Sequence, residues 1–63
     1  MTRFRLEKDM ERRPYKLIRV INGHEMLWTR FLLRRKAVKF ALGEAKRLGL
    51  GLSIGKGVLR RRP

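Results

Sequence analysis

The fold is decided by residues 15–23, YKLIRVING, in which a run rich in β-branched and aromatic side chains meets Asn22-Gly23. Such a run favours a β-strand. Asn-Gly is typical of the two-residue type I′ turn, because both residues tolerate the positive φ that this turn requires. We therefore predict a hairpin with one strand over 15–21 and a second from Met26 to about Phe31.

Side-chain alternation predicts which residues of this hairpin share a face. One face is expected to carry Tyr15, Leu17, Arg19 and Ile21 together with Met26, Trp28 and Arg30. Its apolar members, which we expect to form the inner surface, are Leu17, Ile21, Met26 and Trp28.

A helix is predicted after the hairpin, because the apolar period changes from two to 3.6 between about Leu33 and Leu48. One stripe collects the apolar residues Leu33, Ala37, Val38, Ala41, Ala45 and Leu48. The opposite side collects the basic residues Arg35, Lys36, Lys39, Lys46 and Arg47. Gly49 and Gly51 are suitable terminators.

The remaining segments complete a small α+β prediction. Residues 1–13 mix charges of both signs before Pro14, which indicates a flexible arm. Residues 14–59 are expected to form one ββαβ domain, an antiparallel sheet with one helix packed across it. Its last part contains a strand over 52–54, a turn over 55–57 and a further short strand at 58–59, and residues 60–63 form a basic tail.

Charge indicates the class of partner. The chain has 18 Lys+Arg against 5 Asp+Glu, a formal net charge of +13, and residues 26–63 carry eleven of the bases with one acid. The positive charges of such a chain repel one another, so we expect a polyanionic partner that neutralises them. Nucleic acid is the commonest polyanion in a cell. We expect nucleic-acid binding mainly through phosphates, with DNA favoured over RNA.

The predicted contact residues lie on the helix and in the tail. They are Arg35, Lys36, Lys39, Lys46, Arg47, Lys56, Arg60, Arg61 and Arg62. A three-stranded sheet can also enter the major groove, and in that case the contacts would be Lys16, Arg19 and Arg30. The alternative function is that of a small phage-type inhibitor or adaptor that docks on an acidic surface of a host nucleic-acid-processing protein.

Two smaller features bear on binding. Gly43 lies within the cationic side of the helix, where it either allows a close backbone approach or has no role. Trp28, with Tyr15 and Phe31 nearby, is either a stacking platform for unpaired bases or part of a small core.

The residue types argue against an enzyme. There is no cysteine, and His24 and Asp9 are the sole members of their types. A P-loop would need glycine where Leu50 stands and Ser or Thr where Gly57 stands. We therefore expect no catalysis, no metal and no cofactor.

Cellular location and assembly are also predicted from the sequence. No apolar run approaches the roughly 18 residues of a spanning helix, and no apolar segment follows the basic start. We expect a cytoplasmic protein that does not bind membranes, and association with the nucleoid is left open. A thin core and an open sheet edge leave a homodimer open.

The spacing Ala37-x3-Ala41-x3-Ala45-Lys46-Arg47-x-Gly49, followed by Leu52, Ile54 and Gly57, resembles small bacterial ββαβ domains of the DUF2188 type. The resemblance covers about residues 28–59, and it implies a fold without an established activity. The acidic cap and the longer connection that such domains place before the helix are missing here. In style, the chain is similar to accessory proteins of phages and mobile elements.

Overall fold

The computed structural model describes residues 1–55, 57 and 58, and within them the elements follow the order βββαβ. They are β1 (Thr2–Lys8), β2 (Tyr15–Ile21), β3 (His24–Phe31), α1 (Arg34–Leu48) and β4 (Gly51–Ile54). The strands form one sheet in the order β3-β2-β1-β4, and α1 packs across it. This confirms the predicted α+β class, although the sheet is mixed, because β4 pairs with β1 in parallel.

The expectation of a flexible arm over 1–13 is wrong for its first part. Residues 2–8 form β1, which pairs with β2 on one side and β4 on the other. Phe4 and Leu6 point into the core and are fully buried, while Arg3, Arg5 and Glu7 alternate onto the other face. The charged alternate positions concealed a strand, and the domain therefore begins at β1 and not at residue 14.

The Asn22-Gly23 hairpin is confirmed. Ile21 pairs with His24, and the two turn residues have φ values of 49° and 85°. Both values lie in the left-handed region that the type I′ turn requires. The turn joins β2 to β3 with no further loop residues.

A β-bulge in β3 makes one part of the predicted side-chain pattern wrong. Leu17 pairs with Thr29 but the next residue of β2, Ile18, pairs with Leu27, so Trp28 is an extra residue. A bulge of this kind shifts the alternation by one position. Arg30 consequently lies beside Lys16 on the face away from the helix, whereas Arg19 and Trp28 stay on the helix-bearing face.

The core lies between the sheet and three alanines of α1. Ala37, Ala41 and Ala45 are spaced by four residues and are buried against the sheet residues Phe4, Leu6 and Leu17 and against Val58. Small side chains let the helix approach the sheet closely. The predicted inner surface is confirmed at Leu17 and holds only partly beyond it: Ile21 is half-buried, Met26 is 54% exposed and Trp28 is 41% exposed.

The helix ends as its sequence predicts. Gly49 has φ 69°, and its N–H donates to the last helical carbonyls, of Ala45 and Lys46. β4 follows, in the place predicted for a strand at 52–54. The strand predicted at 58–59 is wrong for Val58, which is buried in a turn closed by a hydrogen bond from its N–H to the carbonyl of Gly55. Leu59 lies outside the described residues.

Candidate functional site

Five basic side chains form what we call the cationic stripe, along the solvent side of α1. At about 100° per residue, they fall within about 120° of the helix circumference, directly opposite Ala37, Ala41 and Ala45. All five are exposed. The members of the stripe are Arg35, Lys36, Lys39, Lys46 and Arg47.

Gly43 lies in the middle of the cationic stripe. A Cβ atom built on it would have no neighbour within 4 Å. The gap between Lys39 and Lys46 is therefore a stretch of bare helix backbone. Phe40 and Leu42 border the stripe on its two sides, and they are 39% and 53% exposed.

On the face of the sheet away from the helix, which we call the open sheet face, most cations are already paired, and Arg3 is the one without a salt bridge among the described residues. Arg5 contacts Glu7 through Nε at 2.6 Å and Glu25 through Nη2 at 2.7 Å, and the second contact joins β1 to β3 across β2. Between them Ile18 is only 6% exposed. These ion pairs neutralise much of the positive charge of this face and shield its apolar centre.

A second ion-pair group on this face is centred on Asp9. Its carboxylate lies 3.0 Å from Nη1 of Arg30 and 3.7 Å from Nζ of Lys16, and it accepts a hydrogen bond from the backbone N–H of Glu11. The Glu11 N–H, followed by the Arg30 guanidinium, lowers the pKa of Asp9. Two of the three predicted sheet-face contacts, Lys16 and Arg30, are thus held by a carboxylate.

The third predicted sheet-face residue, Arg19, lies on the opposite side of the sheet. Its guanidinium carbon is 5.1 Å from the centre of the Trp28 ring. The ring of Tyr15 has a similar neighbour, since Nζ of Lys8 lies 5.7 Å from its centre. Two of the three aromatic residues first considered for base stacking, Trp28 and Tyr15, therefore have a basic side chain of the same chain above the ring.

The cationic stripe has a different electrostatic environment. Among the described residues, its one ion pair joins Arg47 to Glu44. Arg35, Lys36, Lys39 and Lys46 make no salt bridge within that part of the chain. The first turn of α1 carries no acid. Its basic residues lie at the positive end of the helix dipole, where cations are unfavourable and no neighbouring carboxylate of that turn offsets them.

An open recess adjoins the stripe at its N-terminal half. It has a volume of about 390 Å³ and is lined by Phe31, Lys36, Lys39 and Phe40. The two aromatic rings are 5.2 Å apart and tilted by 49°. Phe40 was not predicted as a site residue. Its one signal in the sequence is that it is a large apolar residue next to an otherwise basic helix surface.

The basic residues near the end of the chain are only partly accounted for. Lys56, Arg60, Arg61 and Arg62 lie outside the described residues. Arg34, which was not predicted as a contact, donates from Nε to the carbonyl oxygen of Val58. This hydrogen bond attaches residue 58 to the first turn of α1.

The remaining candidate residues form no reactive arrangement in the described part of the chain. His24 is exposed at the start of β3, and Asp9 is engaged with Lys16 and Arg30. Gly51–Ile54 form a strand that opens no helix, so the phosphate-loop geometry is missing there too. Within residues 1–55, 57 and 58, no three His, Asp or Glu side chains come together in a way that suits a metal ion.

Neither a protein-family model nor a curated protein nor a solved structure matches this chain. The resemblance to domains of the DUF2188 type therefore stays a prediction. Across the described residues, α1 has neither the length nor the apolar character needed to cross a bilayer.

Proposed function

We propose that this protein is a nucleic-acid-binding module that contacts phosphates through the cationic stripe of α1. One observation supports the proposal most strongly. On the open sheet face, Arg5, Lys16 and Arg30 are paired with Glu7, Glu25 and Asp9, and only Arg3 lacks a salt bridge among the described residues. In the stripe, four of the five cations lack a carboxylate partner among the described residues. Unpaired cations on one rigid surface favour a polyanionic ligand.

The dimensions of the stripe suit this ligand. From Arg35 to Arg47 the helix rises by about 18 Å at 1.5 Å per residue. A B-form strand advances about 3.4 Å per nucleotide, so the stripe faces about five phosphates. Several lysines and arginines that engage phosphates together release condensed counterions, which supplies the free energy of sequence-independent binding.

The proposal is one of binding without catalysis. The long, exposed side chains of the stripe neutralise charge, and the recess that they border in the described part of the chain is open to solvent. A ligand of this kind also implies a cytoplasmic location close to the nucleoid.

The direct test is a titration of duplex DNA with the purified, nuclease-treated protein over a series of salt concentrations. We expect the logarithm of the affinity to fall linearly with the logarithm of the salt concentration, with a slope that corresponds to the release of several counterions. Failure to retain both duplex and single-stranded DNA at physiological salt would refute the proposal. Discrete co-purification with one acidic protein after nuclease treatment would favour the inhibitor or adaptor function instead.

A further inference from the structure

The recess between β3 and α1 combines two features that one ligand class satisfies. Its apolar part is the ring pair of Phe31 and Phe40, the latter 39% exposed. Its other lining residues are Lys36 and Lys39, whose side chains are exposed members of the cationic stripe. A complementary ligand has a flat apolar group and an anionic group a few ångströms apart.

An unpaired nucleotide has this combination. Its base offers a π-face to an aromatic ring, and its phosphate offers negative charge to the lysines. In a duplex the faces of the bases are covered by their neighbours, so only a single strand, or a base out of its stack, presents such a face. A carboxylate-rich peptide supplies the charge but has no comparable flat surface for Phe40.

The other aromatic rings near this face are less available. Arg19 lies above the ring of Trp28 and Lys8 lies near that of Tyr15. Phe40, in contrast, packs against Phe31 with the two rings tilted by 49°, and it borders the open recess. The recess is thus the place on the helix-bearing side where an exposed ring and two stripe lysines meet.

We infer that the recess formed by Phe31, Phe40, Lys36 and Lys39 is a stacking site for one unpaired base, which gives the protein a preference for single-stranded nucleic acid. This inference rests on the proposed function, since the phosphates of the same strand lie on the cationic stripe. A surface that acts through charge alone would favour the duplex, because its charge density is higher. A preference for the single strand therefore reports contact with bases.

The test compares a short thymidine oligonucleotide with a duplex of the same length by fluorescence anisotropy. Phe40→Leu keeps an apolar side chain against Phe31 and removes the π-face, whereas Phe40→Tyr keeps both. Base stacking on an aromatic side chain typically changes affinity by about 5-fold or more. We expect that loss for Phe40→Leu with the single strand, near wild-type affinity for Phe40→Tyr, and duplex affinity unchanged in both.

Leu42→Ala is the matched control, because Leu42 is exposed on the other border of the stripe. It should bind both probes as the wild type does, and circular dichroism should show that every variant keeps its fold. The inference is overturned if Phe40→Leu binds the single strand normally, or if the wild type binds the duplex or polyglutamate as tightly as the single strand. If any of these results is obtained while the duplex is still bound, only the stacking site is refuted and the proposed function stands. If the protein binds neither the single strand nor the duplex, both the stacking site and the proposed function are refuted.

Discussion

Arg47 donates two hydrogen bonds to the carboxylate of Glu44 one helical turn before it, from Nε to Oε1 at 3.0 Å and from Nη2 to Oε2 at 2.9 Å. Glu44 is the one acid of α1, and it neutralises one end of the cationic stripe. The hydrogen bonds from Arg47 lower the pKa of Glu44, so that both the carboxylate and the guanidinium are ionised at neutral pH.

Replacing Glu44 by Gln should therefore strengthen binding to nucleic acid. The substitution releases Arg47 for a phosphate and removes a repulsive charge from the stripe. We expect tighter binding and a salt dependence steeper by about 0.7 to 0.9, the increment for one further phosphate contact. Anisotropy titrations over a salt series measure both quantities.

Glu7→Gln is the matched control for that experiment, because it makes the same change in net charge on the open sheet face. It should leave the slope near the wild-type value. Equal slopes for the two variants would mean that total charge, and not the stripe, determines binding.

Asp9 should make stability depend on pH in acid. A carboxyl group whose pKa is lowered by folding stabilises the native state above its unfolded pKa of about 3.9, and this contribution is lost as the pH falls through the folded pKa. Asp9→Asn keeps an acceptor for the Glu11 N–H and loses the ion pairs with Lys16 and Arg30. We expect a lower urea midpoint than wild type at pH 7 and a smaller difference at pH 3.

Glu11→Gln is the control for Asp9, since Glu11 is exposed in the same loop and its side chain forms no ion pair among the described residues. Its urea midpoint should follow that of the wild type at both pH values. An Asp9→Asn variant with an unchanged midpoint at pH 7 would show that the ion pairs of this loop contribute nothing to stability.

The burial of Phe4 predicts that β1 is essential for folding. Truncating a buried Phe to Ala typically costs about 3–5 kcal/mol. At about 0.05–0.15 kcal/mol per residue, a chain of 63 residues has a total stability of only about 3–9 kcal/mol. Phe4→Ala should thus lose at least about a third of the free energy of unfolding and show a much lower urea midpoint by circular dichroism. Met10→Ala, at a side chain 99% exposed, should keep the wild-type midpoint. A Phe4→Ala variant with the wild-type urea midpoint would show that β1 contributes nothing to stability, as expected of a flexible arm.

Gly43→Ala should stabilise the protein by roughly 0.5–1 kcal/mol, because glycine in a helix interior is unfavourable and the added methyl group meets no neighbour. We expect affinity for DNA to stay within about twofold, since long lysine and arginine side chains reach well beyond a Cβ atom. Thermal melts measure the stability, and the anisotropy titrations measure the affinity for DNA. A large loss of affinity would instead indicate that a phosphate approaches the bare backbone at Gly43.

Local sequence patterns sufficed for the hairpin and the helix, because Asn22-Gly23 and the four-residue spacing of Ala37, Ala41 and Ala45 act over short distances. They also placed the cationic stripe correctly on the exposed side of α1. Strand β1 was missed since its alternating charges resemble a solvated segment until β2 and β4 are present to pair with it. The orientation of Arg30 depends on a bulge at Trp28, which no local signal indicated.

The ion pairs that distinguish the two faces also lie beyond the sequence. Arg5 and Glu25 are twenty positions apart in the chain and meet only because β2 separates their strands in the sheet. A count of charges therefore treats Lys16 and Lys39 alike, although the structure pairs the first with Asp9. The recess at Phe40 was missed for the same reason, since Phe31 reaches it from another element.

Two triple variants with equal net charge distinguish binding of nucleic acid to the cationic stripe from binding through charge anywhere on the surface. One replaces Lys36, Lys39 and Lys46 by Gln. The other replaces the exposed Arg3, Arg12 and Arg13 by Gln. The measurement is the slope of log affinity against log salt concentration with one DNA fragment. We expect a slope smaller by about 2 to 3 for the stripe variant and close to wild type for the other. Equal reductions in the two variants, or no reduction in the stripe variant, would contradict binding at the stripe.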